Sequence, residues 1–117
     1  MDKGLGERLF KFSIEVIKLL SEIKSSTEIS IIKYQLAKAS TSSCANFEEA
    51  QSASSKADFK YKMDISLREM RESNYWLRII KELELCNTKS TINLVNESEE
   101  LKKILGSICS KIKNKNF

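Results

Sequence analysis

SKADFKYKMDISLREMRESNYWLRII, residues 55–80, reads as one long helix, and its reading decides the fold. Ser55 followed by Asp58 fits a capping box in its aspartate form, just ahead of the apolar Phe59. Beyond it Phe59, Met63, Met70, Leu77 and Ile80 fall on one stripe when residues are placed about 100° apart. A helix with one apolar stripe needs partners to bury it. The pattern ends near Cys86-Asn87, which bounds the helix at about residues 56–86.

The same spacing recurs on both sides. Upstream, Leu5, Leu9, Phe12, Val16, Leu19, Leu20 and Ile23 make the stripe of a first helix over about 5–24, broken by Ser25, Ser26 and Thr27. Ile29, Ile32, Leu36, Ala39, Ser43, Phe47 and Ala50 mark a second over about 28–51. The C-terminal half of that stripe is small, and Ala37, Ser40, Ser42, Cys44 and Ala45 keep its surroundings small, which lets a neighbouring helix come close. Downstream, Leu94, Leu101, Ile104, Leu105, Ile108 and Ile112 mark a fourth helix over about 91–113, with Gly106 inside it at a cost of about 1 kcal/mol against alanine. Four helices with short connections predict an all-α, antiparallel up-down-up-down four-helix bundle formed by residues 1–117 as a single domain.

Composition agrees. The 117 residues include no proline and only three glycines, too few for the turns of a β-rich fold. Charges at Asp2, Lys3, Glu7 and Arg8 exclude a signal peptide, and no stretch approaches the roughly 18 apolar residues of a membrane span. Three scattered cysteines, Cys44, Cys86 and Cys109, suit a reducing cytoplasm better than a disulfide framework. The net charge of +4 is uneven: residues 88–117 hold six Lys/Arg against three acids, and residues 28–55 hold two against three. An anionic partner is permitted by that bias and not required.

A second apolar face stands out on two helices. Tyr61, Ile65, Trp76, Ile79 and Leu83 cluster on the third helix roughly 120° from its core stripe, and Phe10, Ile14 and Ile17 do the same on the first. In an up-down bundle these helices are diagonal, so the faces are expected on opposite sides of the protomer. Two different sticky faces predict head-to-tail self-association that closes into a ring.

Residues with chemistry to offer are few. Gln35, Ser42, Asn46 and Glu49 share a flank of the second helix, and Glu69 and Glu72 flank the core on the third. Carboxylates facing one another in a bundle bring di-iron sites to mind, but those need Glu-x-x-His pairs, and the chain has no histidine. A structural interhelical hydrogen-bond network is the expected role of the six, with no metal and no cofactor. Cys44 lacks a histidine to activate it and reads as space-filling. The N-terminal GLG follows no strand, so it forms no phosphate loop, and no enzyme is expected. Basic residues remain. Arg68, Arg71 and Arg78 form a stripe with Tyr75 among them, opposed by Asp64 and Glu82, and Lys102, Lys103, Lys111, Lys113 and Lys115 make a basic C-terminal segment. Repeated around a ring, either patch could hold RNA or DNA through salt-sensitive phosphate contacts.

The stretch QLAKASTSSCANFEEAQSASSKADFKYKMDISLREMRESNYWLRII carries a longer signature: Gln35, Leu36, Thr41, Ser42, Ala45, Asn46, Glu49, Ala50, Ser54, Asp58, Phe59, Lys62, Glu69, Glu72 and Trp76-Leu77. In these positions the chain resembles the bacterial four-helix bundle family first noticed as proteins encoded by intervening sequences in 23S ribosomal RNA genes. The resemblance implies a homopentameric ring. It also implies kinship with the accessory variability protein of diversity-generating retroelements, which binds a reverse transcriptase and nucleic acid through a basic surface. Ser43 and Cys44 stand where relatives usually have an aliphatic residue and glycine, so the closest helix contact is expected to be loosened or re-spaced.

Overall fold

The computed structural model describes residues 3–114, which fold into four helices: α1 (Lys3–Ser21), α2 (Thr27–Gln51), α3 (Lys56–Glu82) and α4 (Thr88–Asn114). Each packs against its chain neighbours, and α4 closes on α1; the diagonals α1–α3 and α2–α4 do not approach. That is the up-down-up-down arrangement. A helix of 27 residues is about 40 Å long, which accounts for the 45 Å long axis.

Helix ends follow local chemistry. Ser26 caps α2 by accepting from the Ile29 N–H at 3.3 Å. At α3 the Ser55 hydroxyl accepts from the Asp58 N–H at 3.0 Å, while the Asp58 carboxylate accepts from the Ser54 N–H at 3.3 Å. The carboxylate thus reaches one residue further back than the box predicts. Three bounds differ from expectation. α1 stops at Ser21, where the Glu22 and Ile23 N–H groups turn to Leu19 and Leu20 in a tightened last turn. α3 stops at Glu82 and not near Cys86. Glu84 adopts a left-handed φ of 49°, its N–H bonds the Lys81 carbonyl and the Leu85 N–H bonds that of Ile80. This is a Schellman ending, with Leu85 folded back onto the core beside Ile80. α4 begins at Thr88 because the Asn87 side chain accepts from the Ser90 N–H at 2.8 Å.

The core follows the predicted stripes, with Leu9, Phe12, Val16, Leu36, Met63, Met70, Leu77, Ile80, Leu101 and Leu105 essentially sealed from solvent. Ile29, Ile32, Phe59, Ile104 and Ile108 are only partly buried. Inside the core runs a seam of short polar side chains that join neighbouring helices. Ser43 and Ser66 bond reciprocally, each hydroxyl to the other's carbonyl at 2.8 Å. Ser13 bonds the Ser40 carbonyl at 3.0 Å, tying α1 to α2, and Asn74 bonds the Ser98 hydroxyl at 2.9 Å, tying α3 to α4. Among the described residues no buried side-chain nitrogen or oxygen lacks a partner.

Two substitutions of opposite sign test this packing. Ser66→Val forces branched methyls into the α2–α3 contact and strands its hydrogen bonds, so urea unfolding should show a loss of about 2–3 kcal/mol, against about 1 kcal/mol for Ser66→Ala. A Cβ at Gly106 would meet nothing within 4 Å, so Gly106→Ala should gain about 1 kcal/mol.

Candidate functional site

Interhelical bonds orient each helix, and from them the direction of every surface row follows. On α1, Ser13 faces α2 through its bond to Ser40, and Arg8 faces α4 through bonds to Glu97 at 3.0 and 2.8 Å. Phe10 (58 % exposed), Ile14 and Ile17 lie outward of Ser13. On α3, Lys62 and Ser66 face α2, through Glu49 at 2.6 Å and through Ser43, while Asn74 faces α4. Tyr61 (63 % exposed) and Leu83 (55 %) stand clear on the outer side, with Ile65, Trp76 and Ile79 half-buried between them. At about 100° per residue, the α1 row is turned roughly 50° from straight outward and the α3 row roughly 40°, both towards α2. The two faces therefore point roughly 90° apart; the expectation of opposite sides, which took each row as straight outward, is corrected by these leans.

The basic residues are also rearranged by the register. The Asn74–Ser98 bond and the 3.5 Å bond from the Cys109 thiol to the Met63 carbonyl set α3 against α4 so that Arg71 lies level with Lys102. What reads in sequence as a stripe and a separate tail becomes one α3–α4 face carrying Arg71, Arg78, Lys102 and Lys113. Arg68 lies nearer the apolar row, 3.7 Å from Glu69, Lys103 points outward, and Lys111 turns to the α1 side. Lys115 lies outside the described residues. Acidic neighbours oppose this face less than their number suggests. Lys60 holds Asp64 at 2.7 Å, and Lys102 holds Glu99 at 2.8 Å and lowers its pKa. Among the described residues Arg71, Arg78 and Lys113 form no salt bridge, and neither does Glu82.

The six polar residues expected to form an interhelical network do not form one. Glu49 alone reaches another helix, through Lys62. Asn46 bonds back to Ser42 on its own helix, and Glu72 accepts from the Trp76 indole N–H at 3.2 Å, also within one helix. Gln35 and Glu69 are half-buried on the flanks. A flank is half solvated, so long polar side chains there fold back or reach water. The bonds between helices are made by serines and Asn74, whose short side chains stay inside. Asn74 is the residue the pattern misses. It occupies a core position four residues before Arg78 and accepts from the Arg78 Nε at 3.0 Å. A polar side chain on the apolar stripe with an arginine four residues on is the signal that would have found it.

Two concavities complete the surface. A groove of about 540 Å³ runs between α1 and α4, floored by Phe12, Leu19 and Leu94 and rimmed by Lys11, Glu15, Lys18 and Glu22. A hollow of about 320 Å³ on α3 is lined by Tyr75, Arg78, Ile79, Glu82 and Leu83. No three His, Cys, Asp or Glu side chains converge among the described residues, and no helix there is long and apolar enough to cross a membrane.

Comparison with known proteins adds three findings. The model of the family described as 23S rRNA-intervening sequence protein matches residues 6–107. The crystal structure of a protein of unknown function from the S23 ribosomal protein family, from Bacteroides thetaiotaomicron, is similar over 90 % of this chain and 97 % of its own, with 28 % identity and a TM-score of 0.80. No curated protein matches the chain.

Cys109 is a probe of the α3–α4 face. Burial first, then the neighbouring Asp64, push its pKa from 9.0 up to about 11. A raised thiol pKa means stability that is full below the unfolded value and lost as pH rises through the folded one. Unfolding free energy should therefore fall between about pH 9 and pH 11 more steeply for the native chain than for Cys109→Ala, as urea titrations at each pH would show.

Proposed function

The chain belongs to the family of 23S rRNA-intervening sequence proteins, and from that footing we propose that it is a non-enzymatic homo-oligomer, closed into a ring, that binds nucleic acid on the face left outside the subunit contact. The observation that carries the first half is the pair of unlike apolar rows on α1 and α3. A bundle that works alone has no use for Phe10, Ile14 and Ile17 on one outer face and Tyr61 and Leu83 on another.

Charge favours pairing one row with the other over pairing either with itself. Lys11 and Lys18, with Glu7, border the α1 row, while Glu69 and Glu72, with Arg68, border the α3 row, a net positive rim against a net negative one. A two-fold contact between α1 rows would set lysine against lysine; a head-to-tail contact sets lysine against glutamate. Neighbours roughly 90° apart as seen from each copy close after four or five copies, and the family resemblance favours five.

In such a ring the α3–α4 face stays outside, since both apolar rows lean the other way, towards α2. Arg71 and Arg78 then recur in every subunit, and several phosphate contacts add into sequence-independent binding. A cytoplasmic setting suits such a role. The α1–α4 groove supports a second reading, a scaffolding ring that docks a protein segment, such as part of a reverse-transcriptase-like partner. Its floor of Phe12, Leu19 and Leu94 lies clear of both rows, and its rim alternates in charge.

Light scattering of the purified chain should give a mass four or five times that of one copy, unchanged on dilution; a monomer at all concentrations contradicts the ring. A labelled RNA should bind at 50 mM salt and lose affinity about a hundredfold by 200 mM. No binding even at low salt would rule out the nucleic-acid role and leave the scaffolding one.

A further inference from the structure

The α3–α4 face is more than a spread of lysines, because one of its cations is held in place from inside the core. Asn74 is 1 % exposed. Its amide N–H donates to the Ser98 hydroxyl at 2.9 Å, the Ser98 hydroxyl donates to the Val95 carbonyl at 2.8 Å, and the Asn74 carbonyl oxygen accepts from the Arg78 Nε at 3.0 Å. The chain of bonds runs from α4 through the buried amide to a surface guanidinium. Holding Arg78 by Nε fixes its plane and leaves both terminal nitrogens to solvent, with no carboxylate partner among the described residues. An arginine whose rotamers are already restricted loses less entropy on binding an anion.

Beside that guanidinium stands an aromatic ring. Tyr75 is 48 % exposed, and its ring is braced edge-to-face by Trp76, with centroids 4.9 Å apart at 73°. Glu82 stands close by, on a hollow of about 320 Å³ that Tyr75 and Arg78 also line; its remaining walls, Ile79 and Leu83, belong to the apolar row that a neighbouring copy covers. Arg71 lies about 10 Å from Arg78 along the helix axis. Two guanidiniums flanking an exposed aromatic ring offer places for phosphate and for the flat face of a base. A duplex presents its phosphates but hides its base faces in the stack, whereas a single strand presents both. Glu82 would repel a phosphate beside Tyr75 and can accept from the exocyclic amine of a base.

We infer that Tyr75 and Arg78 form a site for an unpaired base and its phosphate, so that the protein selects single-stranded over double-stranded nucleic acid. This rests on the reading of the α3–α4 face as a nucleic-acid surface and names the form of nucleic acid it takes. Arg78 and Tyr75 supply contact, and Asn74 acts as a positioning residue through Arg78.

The test compares a labelled homopolymer of about 20 nucleotides with a duplex of equal length, by fluorescence anisotropy at low salt. Trp76, the single tryptophan of the chain, lies against Tyr75 and serves as an internal reporter of stacking. The single strand should bind at least about tenfold tighter than the duplex and quench Trp76 emission. Tyr75→Ala should lower single-strand affinity about tenfold and leave duplex affinity within about twofold, whereas Tyr75→Phe keeps the preference. Arg78→Lys, which cannot be held by Nε and still carries its charge, should also lose the preference. Equal affinity for the two forms, or an equal loss from both on Tyr75→Ala, overturns this inference and leaves the broader nucleic-acid reading standing. Failure to bind either oligonucleotide overturns both.

Discussion

Where α2 lies against α3, the Ser43 hydroxyl donates to the Ser66 carbonyl, the Ser66 hydroxyl donates to the Ser43 carbonyl, and the two oxygens are 3.3 Å apart. Each bond is worth only about 1 kcal/mol net, less than the roughly 1.5–3 kcal/mol from burying one leucine. Apolar burial drives the collapse. The serines set how close the two helices come and in which register, because a larger side chain at either position would push them apart. At Ser43, one of the residues where the chain departs from the family pattern, the contact is held by these hydrogen bonds. Asn74–Ser98 and Ser13–Ser40 repeat the device on the other seams. Rotation of each helix about its axis follows from these bonds.

That rotation decides what the outside looks like. With Ser66 turned to α2 and Asn74 to α4, α3 must present Tyr61, Ile65, Trp76, Ile79 and Leu83 on the α2 side of its outer surface and Arg71, Tyr75 and Arg78 on the α4 side. The apolar row and the basic stripe are neighbours on one helix with separate outlooks. One is suited to a second copy of the chain, and the other stays free when the first is covered. The bundle interior thus places two kinds of contact on the surface without either obstructing the other.

Much of this was legible in the sequence, and the exceptions have a common cause. The capping box at Ser55, the stripes of α1 and α2 and the two extra apolar rows are properties of spacing along one helix, and spacing is what a sequence displays. Ser66, Leu67, Ser73 and Asn74 on α3, and Thr91, Val95 and Ser98 on α4, are buried as well, although the residues that define the stripes in the sequence do not include them. A serine has no apolar signature, and whether it is buried depends on the neighbouring helix. The ends of α1 and α3 were overrun because their apolar periodicity continues through Ile23 and Leu85, which are used to fold the chain back. The merging of Arg71 with Lys102 depends on interhelical register, which no single-helix pattern contains. For the same reason the sequence displays the candidate site as two patches and does not display the bonds by which Asn74 anchors it from the core.

A closed ring requires that the contact between copies join one apolar row to the other. Ile14→Glu blocks the α1 row and Trp76→Glu blocks the α3 row, each by setting an unpaired charge at an apolar contact. Head-to-tail pairing predicts that each variant alone is monomeric, and that an equimolar mixture forms a one-to-one dimer and nothing larger, since each partner contributes its one intact row. Light scattering of the two variants, separate and mixed, reads this directly. A variant that still dimerises alone, or a mixture that stays monomeric, would contradict it.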